Sequence, residues 1–251
     1  MGVKVSFENA IAVIAINRVE ARNSVNAEVA QGIAAAVAEI ERRPDIKVGV
    51  LTGEGGTFCA GMDLKAFLAG EIMRFPETGF AGLTGVKLSK PFIAAVEGYA
   101  LAGGFELALA CDFIVAAQTA KFGLPEVKRG LVANAGGLLR LPRQIPQRIA
   151  AELVLTGDMY DAATLFPYGL INRLVPEGET LSAALELAGK LVRNGPLAMA
   201  VSKQVLRESP LWGDDMFERQ YELTGRVFTS QDAREGAAAF AEKREPVWQG
   251  R

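Results

Sequence analysis

The sequence predicts an α/β protein that ends in a helical region. Short apolar runs bounded by glycines or polar residues are typical of strands. They lie at 3–7, 10–16, 47–51, 91–96 and 113–117. Helical apolar spacing recurs in other segments, and from Thr180 onward it is the only pattern. A chain of 251 residues is long enough for one domain, or for one domain with a small appendage.

The N-terminal segment combines a strand pair with an amphipathic helix. Val3–Phe7 and Ala10–Ile16 are predicted as two strands joined by a Glu-Asn turn. The polar loop Asn17–Asn26 follows, and its last residue is a suitable N-cap for a helix over Ala27–Arg42. The apolar residues of that helix recur at spacings of four, four and three, on one face: Val29, Ile33, Val37 and Ile40.

A second strand-to-helix segment comes next. The strand predicted at Lys47–Leu51 ends in a glycine-rich turn, and the run FCAGMDLKAF, Phe58–Phe67, follows. Small residues in this run precede a predicted helix start, and Asp63 is predicted to cap that helix. The backbone N–H of Met62 would then lie at the edge of a cavity. No regular apolar spacing continues between Ala69 and Leu83, which predicts an irregular or mobile segment near a pocket.

The stretch Tyr99–Glu126 carries the most chemical information. A predicted buried strand leads into it, and Gly103 and Gly104 then open a helical segment that contains Glu106. A second apolar run leads to Glu126, which lies in a Gly-Leu-Pro turn. Two carboxylates therefore lie on separate elements, in mostly apolar surroundings.

Such an arrangement can perform acid–base chemistry on a carbonyl compound. A glycine-rich helix start leaves backbone N–H groups free to stabilise charge that develops on a carbonyl oxygen. Glu106 follows Gly103 by three residues, so the carboxylate and the donor can act on the same substrate. Burial raises the pKa of a glutamate and suits it to proton transfer. A purely structural interpretation stays open, in which the glycines serve tight packing and Glu106 and Glu126 form ion pairs.

The C-terminal third is predicted to be mostly helical. Ile149–Leu155 ends near Gly157, a suitable helix stop, and Leu170–Val175 is a strand or connector. After Thr180 one helical face carries Leu181, Ala184, Leu185, Ala188, Leu191 and Val192. We therefore predict a core region at 1–178 and a helical oligomerisation region at 179–251.

Composition excludes several function classes. The chain has 27 basic and 29 acidic residues, a net charge of −2, which favours neither a nucleic-acid partner nor an anionic membrane. Its apolar stretches are short, and its N-terminus lacks a signal core. It contains no histidine, which excludes Ser-His-Asp and Cys-His catalysis and His-containing zinc motifs. Cys59 and Cys111 match no metal-ligand spacing, so we expect a reduced, cytoplasmic protein.

The chain resembles the crotonase, or enoyl-CoA hydratase/isomerase, superfamily along nearly its whole length. The blocks that carry the resemblance are NRVEARNSVN, FCAGMDL, VEGYALAGGFELALACD, FGLPEV and DAREGAAAFAEKREP, in this order. The resemblance implies a spiral of β-β-α repeats with a helical C-terminal trimerisation region, in a homotrimer or a hexamer built as a dimer of trimers. It also implies an acyl-CoA substrate, with no metal and no separate cofactor.

The resemblance assigns roles to individual residues. It maps two oxyanion donors to the N–H groups of Met62 and Gly103, and the two hydratase glutamates to Glu106 and Glu126. The CoA contacts map to Arg22, Ala60, Asp63, Leu64 and Lys65, with Phe240 and Lys243 reaching the nucleotide of a neighbouring subunit. Ala133, where many members carry proline, and the run LFPYGLIN depart from the family pattern and leave the acyl preference open.

The presence of both glutamates favours hydration of a trans-2-enoyl-CoA. In this interpretation Glu126 donates a proton to C2 and Glu106 orients and deprotonates water. Two alternatives remain: a Δ3,Δ2-enoyl-CoA isomerase, which needs one glutamate, and a non-catalytic acyl-CoA-binding crotonase. Acyl length and branching do not follow from the sequence, and carnitine-type substrates are among those left open.

Overall fold

Strands in three sheets and a series of helices make up the fold. The computed structural model describes residues 2–251. The strands are β1 Val3–Glu8, β2 Ile11–Ile16, β3 Val48–Gly53, β4 Arg74–Phe75, β5 Gly79–Phe80, β6 Phe92–Val96, β7 Tyr99–Leu101, β8 Phe113–Ala117, β9 Lys121–Gly123, β10 Tyr160–Asp161 and β11 Arg173–Val175. The α-helices are α1 Ala27–Arg42, α2 Leu64–Leu68, α3 Gly103–Ala110, α4 Gly137–Gln144, α5 Gln147–Thr156, α6 Ala162–Leu165, α7 Thr180–Val192, α8 Pro196–Glu208, α9 Met216–Phe228 and α10 Gln231–Glu242.

The main sheet has its strands in chain order, β1-β2-β3-β6-β8-β11. The β1–β2 pair is antiparallel, and every later pair is parallel. A second sheet has the order β10-β9-β7, in which β7 and β9 are parallel. A parallel bridge between Cys59 and Ala100 adds the segment after β3 to this second layer. Three successive turns of chain therefore each contribute a main-sheet segment, a second-layer segment and then helical structure.

This repeat is the spiral of β-β-α units that the family resemblance implied, so the fold class is confirmed. The burial of the strands explains why layers cover both faces of the main sheet. All five residues of β6, for example, are buried. A strand buried on both faces needs a layer on each side. One side is covered by the second sheet and α1, and the other by α7 through Ala184 and Ala188.

Several element boundaries match their predictions. The helix α1 spans Ala27–Arg42 as predicted, and the Asn26 side chain caps it by accepting from the N–H of Val29 at 3.0 Å. The segment Ala69–Leu83 differs, because it is not irregular throughout. It contains the β4–β5 hairpin, and Phe80 and Leu83 are buried because they pack into the core.

The C-terminal helices begin at the predicted boundary. The helix α7 starts at Thr180 and packs against β3, β6 and β8, while α8 packs against α9. The division into regions 1–178 and 179–251 stays a prediction. Within the described part of the chain, no helix has both the length and the apolar character required to cross a membrane.

Asn23 fixes the first polar loop to the turn after β3. Its buried amide donates to the carbonyls of Glu54 at 2.9 Å and Thr57 at 2.5 Å, and its Oδ1 accepts from the N–H of Arg18 at 2.9 Å. We expect Asn23→Ala to lower the free energy of unfolding by about 3 kcal/mol, because it leaves buried backbone groups unpaired.

Urea denaturation of the purified variant measures this loss. The matched control is Asn26→Ala, which removes one helix cap and should cost about 1 kcal/mol. Equal losses in the two variants would show that the Asn23 hydrogen bonds do not hold the loop.

Candidate active site

Two backbone turns meet at the centre of the candidate site. Gly61 has φ +98°, and a Cβ built on it would lie 2.7 Å from the carbonyl oxygen of Leu101 and 3.2 Å from the nitrogen of Gly103. The turn that contains Met62 therefore lies directly against the start of α3. Glycine is required at position 61 both for its backbone conformation and for this close approach.

The N–H groups of Met62 and Gly103 are available in this arrangement. A bridge between Val25 and Met62 uses the flanking groups instead: Val25 donates to Gly61 at 2.8 Å, and Asp63 donates to Val25 at 2.9 Å. Gly103 is the first residue of α3, so its N–H has no partner within the helix. Within residues 2–251, neither N–H donates a hydrogen bond to a protein acceptor.

A strained residue sets the direction of the second donor. Ala102 has φ 50° and ψ −127°, a conformation that side-chain-bearing residues rarely adopt. Its own N–H donates to Gly123 at 2.9 Å, and its carbonyl accepts from the N–H of Glu106 at 3.0 Å. Backbone strain of this kind costs on the order of 1–3 kcal/mol and is concentrated at functional sites.

Glu106 is buried, and backbone donors hold its carboxylate. The N–H of Gly137, at the start of α4, donates to its Oε1 at 2.8 Å, and Glu106 is 3% exposed. Burial raises the pKa of Glu106. Hydrogen bonds from the backbone of Gly137 and Ala135 and the charges of Arg140 and Arg74 oppose that rise. The environment of Glu106 thus contains several groups that stabilise its ionised form.

Glu126 has a different environment. It lies in a short 3₁₀ helix, Pro125–Arg129, and its Oε2 is buried without a hydrogen-bond partner in residues 2–251. Burial raises the pKa of Glu126 to about 7, and the charge of Glu106 adds to the rise. The two carboxylates are therefore close enough to interact. Burial raises both pKa values, but a backbone N–H stabilises the ionised form of Glu106, whereas Oε2 of Glu126 has no such donor.

The structure brings five predicted CoA contacts together on two adjacent loops. The carbonyl of Arg22 accepts from the N–H of Ala60 at 3.0 Å. Asp63, Leu64 and Lys65 follow at the start of α2. Arg22, Leu64 and Lys65 are exposed, which leaves their side chains free to meet a ligand.

The Asp63 carboxylate has structural partners as well. It caps α2 by accepting from the N–H groups of Lys65 at 2.9 Å and Ala66 at 3.3 Å, as the sequence predicted. It also forms a 2.6 Å ion pair with Arg18. The hydrogen bond from Arg18 is the largest of the causes that lower the pKa of Asp63.

The last two predicted contacts lie outside these loops. Phe240 and Lys243 are at the end of α10, where Phe240 is 88% exposed and Lys243 is exposed in a left-handed conformation. An exposed phenylalanine at this position is compatible with contact to a neighbouring subunit. Their role stays a prediction.

Three residues of the site were not found from the sequence. Gly137 donates to Glu106, Phe80 lies over Gly103, where a Cβ would approach its ring to 2.6 Å, and Arg140 lies near Glu106. The available signal was the run ANAGGLLR, a second glycine-rich helix start, whose N–H groups need an anionic partner. In the described residues no group of three or more His, Cys, Asp and Glu side chains is arranged to hold a metal ion.

Comparisons with known proteins agree with this geometry. A family model described as enoyl-CoA hydratase/isomerase matches residues 6–251. The carnitinyl-CoA dehydratase of Salmonella paratyphi A is 44% identical over 238 residues, which cover 91% of each chain.

Solved structures give the same result. An enoyl-CoA hydratase from Mycobacterium tuberculosis H37Rv is 52% identical with a TM-score of 0.98, over 100% of this chain and 99% of that one. A carnitinyl-CoA hydratase from Mycobacterium avium is 44% identical with a TM-score of 0.80, over 100% and 99%. These matches confirm the resemblance seen in the sequence, and the chain belongs to the enoyl-CoA hydratase/isomerase family of the crotonase superfamily.

Proposed function

We propose that this protein is an enoyl-CoA hydratase that adds water across the 2,3 double bond of a trans-2-enoyl-CoA. The observation that carries the proposal is the contrast between the two glutamates. Glu126 has a buried carboxylate oxygen without a partner, and Glu106 is bound by a backbone N–H at 2.8 Å. Hydration needs one carboxylic acid and one carboxylate at the same substrate, and this contrast supplies both.

The reaction can be derived from these groups. The thioester oxygen accepts from the N–H groups of Met62 and Gly103, which stabilise the enolate as it forms. Glu106 takes a proton from water as the water oxygen bonds to C3. The π electrons shift toward the carbonyl, and C2 takes the proton of Glu126. A proton then returns from Glu106 to Glu126 to restore the pair.

CoA enters this scheme as part of the substrate, and we propose no metal and no further cofactor. The loops around Arg22 and Lys65 would hold the CoA portion, with Phe240 and Lys243 contributed by a neighbouring subunit. We propose a homotrimer, or a hexamer formed by two trimers. Support comes from exposed apolar side chains of the C-terminal helices: Leu206, Leu211, Phe217, Tyr221 and Phe228. A cytoplasmic location stays a prediction.

A panel of acyl-CoA thioesters tests the proposed activity. Purified protein is mixed with trans-2-enoyl-CoAs of increasing length, a carnitine-derived enoyl-CoA and a 3-enoyl-CoA. Hydration of a 2-enoyl-CoA is followed as loss of the conjugated-thioester absorbance, and isomerisation of the 3-enoyl-CoA as its gain. Hydration of 2-enoyl-CoAs supports the proposal, and their relative rates give the acyl preference. Conversion of the 3-enoyl-CoA alone would indicate an isomerase. Binding without turnover of any thioester would indicate a non-catalytic acyl-CoA-binding protein.

The pH profile of hydration should be bell-shaped, with its alkaline limb near pH 7. Glu126 must carry a proton to act as the acid, and its pKa is raised to about 7. The protonated fraction therefore falls as the pH rises through this value. Rates measured from pH 5 to 9 at low substrate concentration report this limb. A rate that is constant from pH 6 to 9 would rule out Glu126 as the acid.

A further inference from the structure

Arg140 is a half-buried cation whose guanidinium is bound by backbone carbonyls. Its Nη2 donates to the carbonyl of Thr84 at 2.6 Å, and its Nη1 donates to the carbonyl of Ala135 at 3.3 Å. Across the described chain, no carboxylate lies within ion-pair distance of it. A guanidinium held in this way contributes a fixed charge and a fixed fork of donors.

Each of these two carbonyls belongs to a segment that forms one half of the candidate site. Ala135 lies two residues before Gly137, whose N–H donates to Glu106 at 2.8 Å, so Arg140 holds the turn that binds the carboxylate of the proposed base. The hydroxyl of Thr84 accepts from the N–H of Phe80 at 2.9 Å, and the ring of Phe80 covers Gly103. Arg140 therefore connects the turn that binds Glu106 to the segment whose Phe80 ring packs over Gly103.

The charges around Glu106 come from three elements. Arg140 acts from α4, Arg74 from β4, and Glu126, which has the opposite effect, from the 3₁₀ helix. The Arg74 side chain is exposed, and in the described chain its guanidinium has no hydrogen bond to a protein group, whereas that of Arg140 is held in place. Of the two cations, only Arg140 has a fixed position relative to the site.

We propose that Arg140 is a positioning residue for the hydration reaction. It holds the segments of Glu106 and Phe80 in register, and its charge favours the ionised form of Glu106. The inference rests on the proposed function for its kinetic readout. Arg140 has no assigned contact with CoA, so its loss should affect turnover more than substrate binding.

The test compares Arg140→Ala with Arg140→Lys, with Arg143→Ala as the matched control. Arg140 and Arg143 lie on the same helix, and both line a cavity of about 1320 Å³. Arg143 differs in that its side chain is exposed. We expect Arg140→Ala to lower kcat roughly 100-fold with a small change in KM, because small displacements of catalytic groups are costly. The acidic limb of the pH–rate profile of Arg140→Ala should move to higher pH, because loss of the cation raises the pKa of Glu106.

Two further results separate positioning from simple packing. The lysine variant should keep the wild-type acidic limb but recover only part of kcat, because an ammonium cannot fork to both carbonyls. Added guanidinium should restore part of the rate of Arg140→Ala, since the cavity gives it access to the vacated position. An unchanged acidic limb in Arg140→Ala, or no rescue by guanidinium, would overturn the proposal. An equal loss in Arg143→Ala would do the same.

A readout without turnover separates this inference from the proposed function. Isotope-edited infrared titration of the glutamate carboxyls, with Glu106→Gln to assign the band, reports the ionisation of Glu106 directly. If wild-type protein hydrates no thioester, the proposed function fails, and the role of Arg140 is decided by this titration. A Glu106 band that titrates identically in wild type and Arg140→Ala would contradict it.

Discussion

Replacement of either glutamate by glutamine is expected to lower kcat for hydration by about 100-fold to 10,000-fold. Glutamine keeps the shape of Glu106 or Glu126 but can neither accept nor donate the proton. Affinity for a saturated acyl-CoA should change little, because the donors at Met62 and Gly103 are untouched. Stopped-flow absorbance measures kcat, and calorimetry measures the affinity.

The double variant carries the stronger information. If the two carboxylates act on one water, the combined loss will be far smaller than the product of the single losses, because residues that act as a unit are not additive. Glu177→Gln, at an exposed position outside the site, is the control and should hydrate at the wild-type rate. Near-normal hydration by Glu126→Gln would exclude the assigned roles.

Gly61→Ala should abolish most of the oxyanion stabilisation and lower kcat by roughly 100-fold to 1,000-fold. The added methyl would lie 2.7 Å from the carbonyl of Leu101 and 3.2 Å from the nitrogen of Gly103. Since both contacts are with backbone, the two turns must separate, and the donors of Met62 and Gly103 can no longer meet at one oxygen. The free energy of unfolding should fall as well, because the left-handed conformation alone costs about 1–2 kcal/mol.

Gly70→Ala is the matched control for this experiment. Gly70 has φ +78°, similar to Gly61, but a Cβ built there meets nothing within 4 Å. Gly70→Ala should therefore lower the free energy of unfolding, because of the left-handed backbone conformation, but leave kcat unchanged. If the two variants lost kcat equally, the close approach at Gly61 would not be the cause. Single-turnover measurements and thermal melts on the same preparations provide both quantities.

The sequence was sufficient for elements whose signals are local. The helix Ala27–Arg42 has regular apolar spacing and an Asn26 cap, and β8 at Phe113–Ala117 is a bounded apolar run, so both were predicted with the observed boundaries. The strand or connector predicted at Leu170–Val175 contains β11, but other strands of two or three residues, such as β9 and β10, were missed because such lengths give no periodicity. Their existence depends on pairing with distant segments.

In the candidate site, too, the residues with a local sequence signal were predicted and their distant partners were not. Glu106, Glu126 and the glycine-rich turns have a clear chemical signature and match family blocks. The partners of Glu106 do not, because Gly137 lies 31 positions away and donates through its backbone. The irregular segment expected around Phe80 was predicted only in part, since the short β4–β5 hairpin was missed for a similar reason. Its hairpin is stabilised by packing into the core, which residue type alone does not reveal.

The strand order of the main sheet has a consequence for synthesis on the ribosome. Because the strands pair in chain order, each new strand can add to one that has already emerged. One departure from this stepwise assembly is Glu106, whose donor Gly137 comes from the following turn of the spiral. A nascent chain that stops before Gly137 would have to bury this carboxylate without its hydrogen bond, at a substantial energetic cost. Docking of α3 should therefore wait for the third turn, which makes completion of the site a late step in folding.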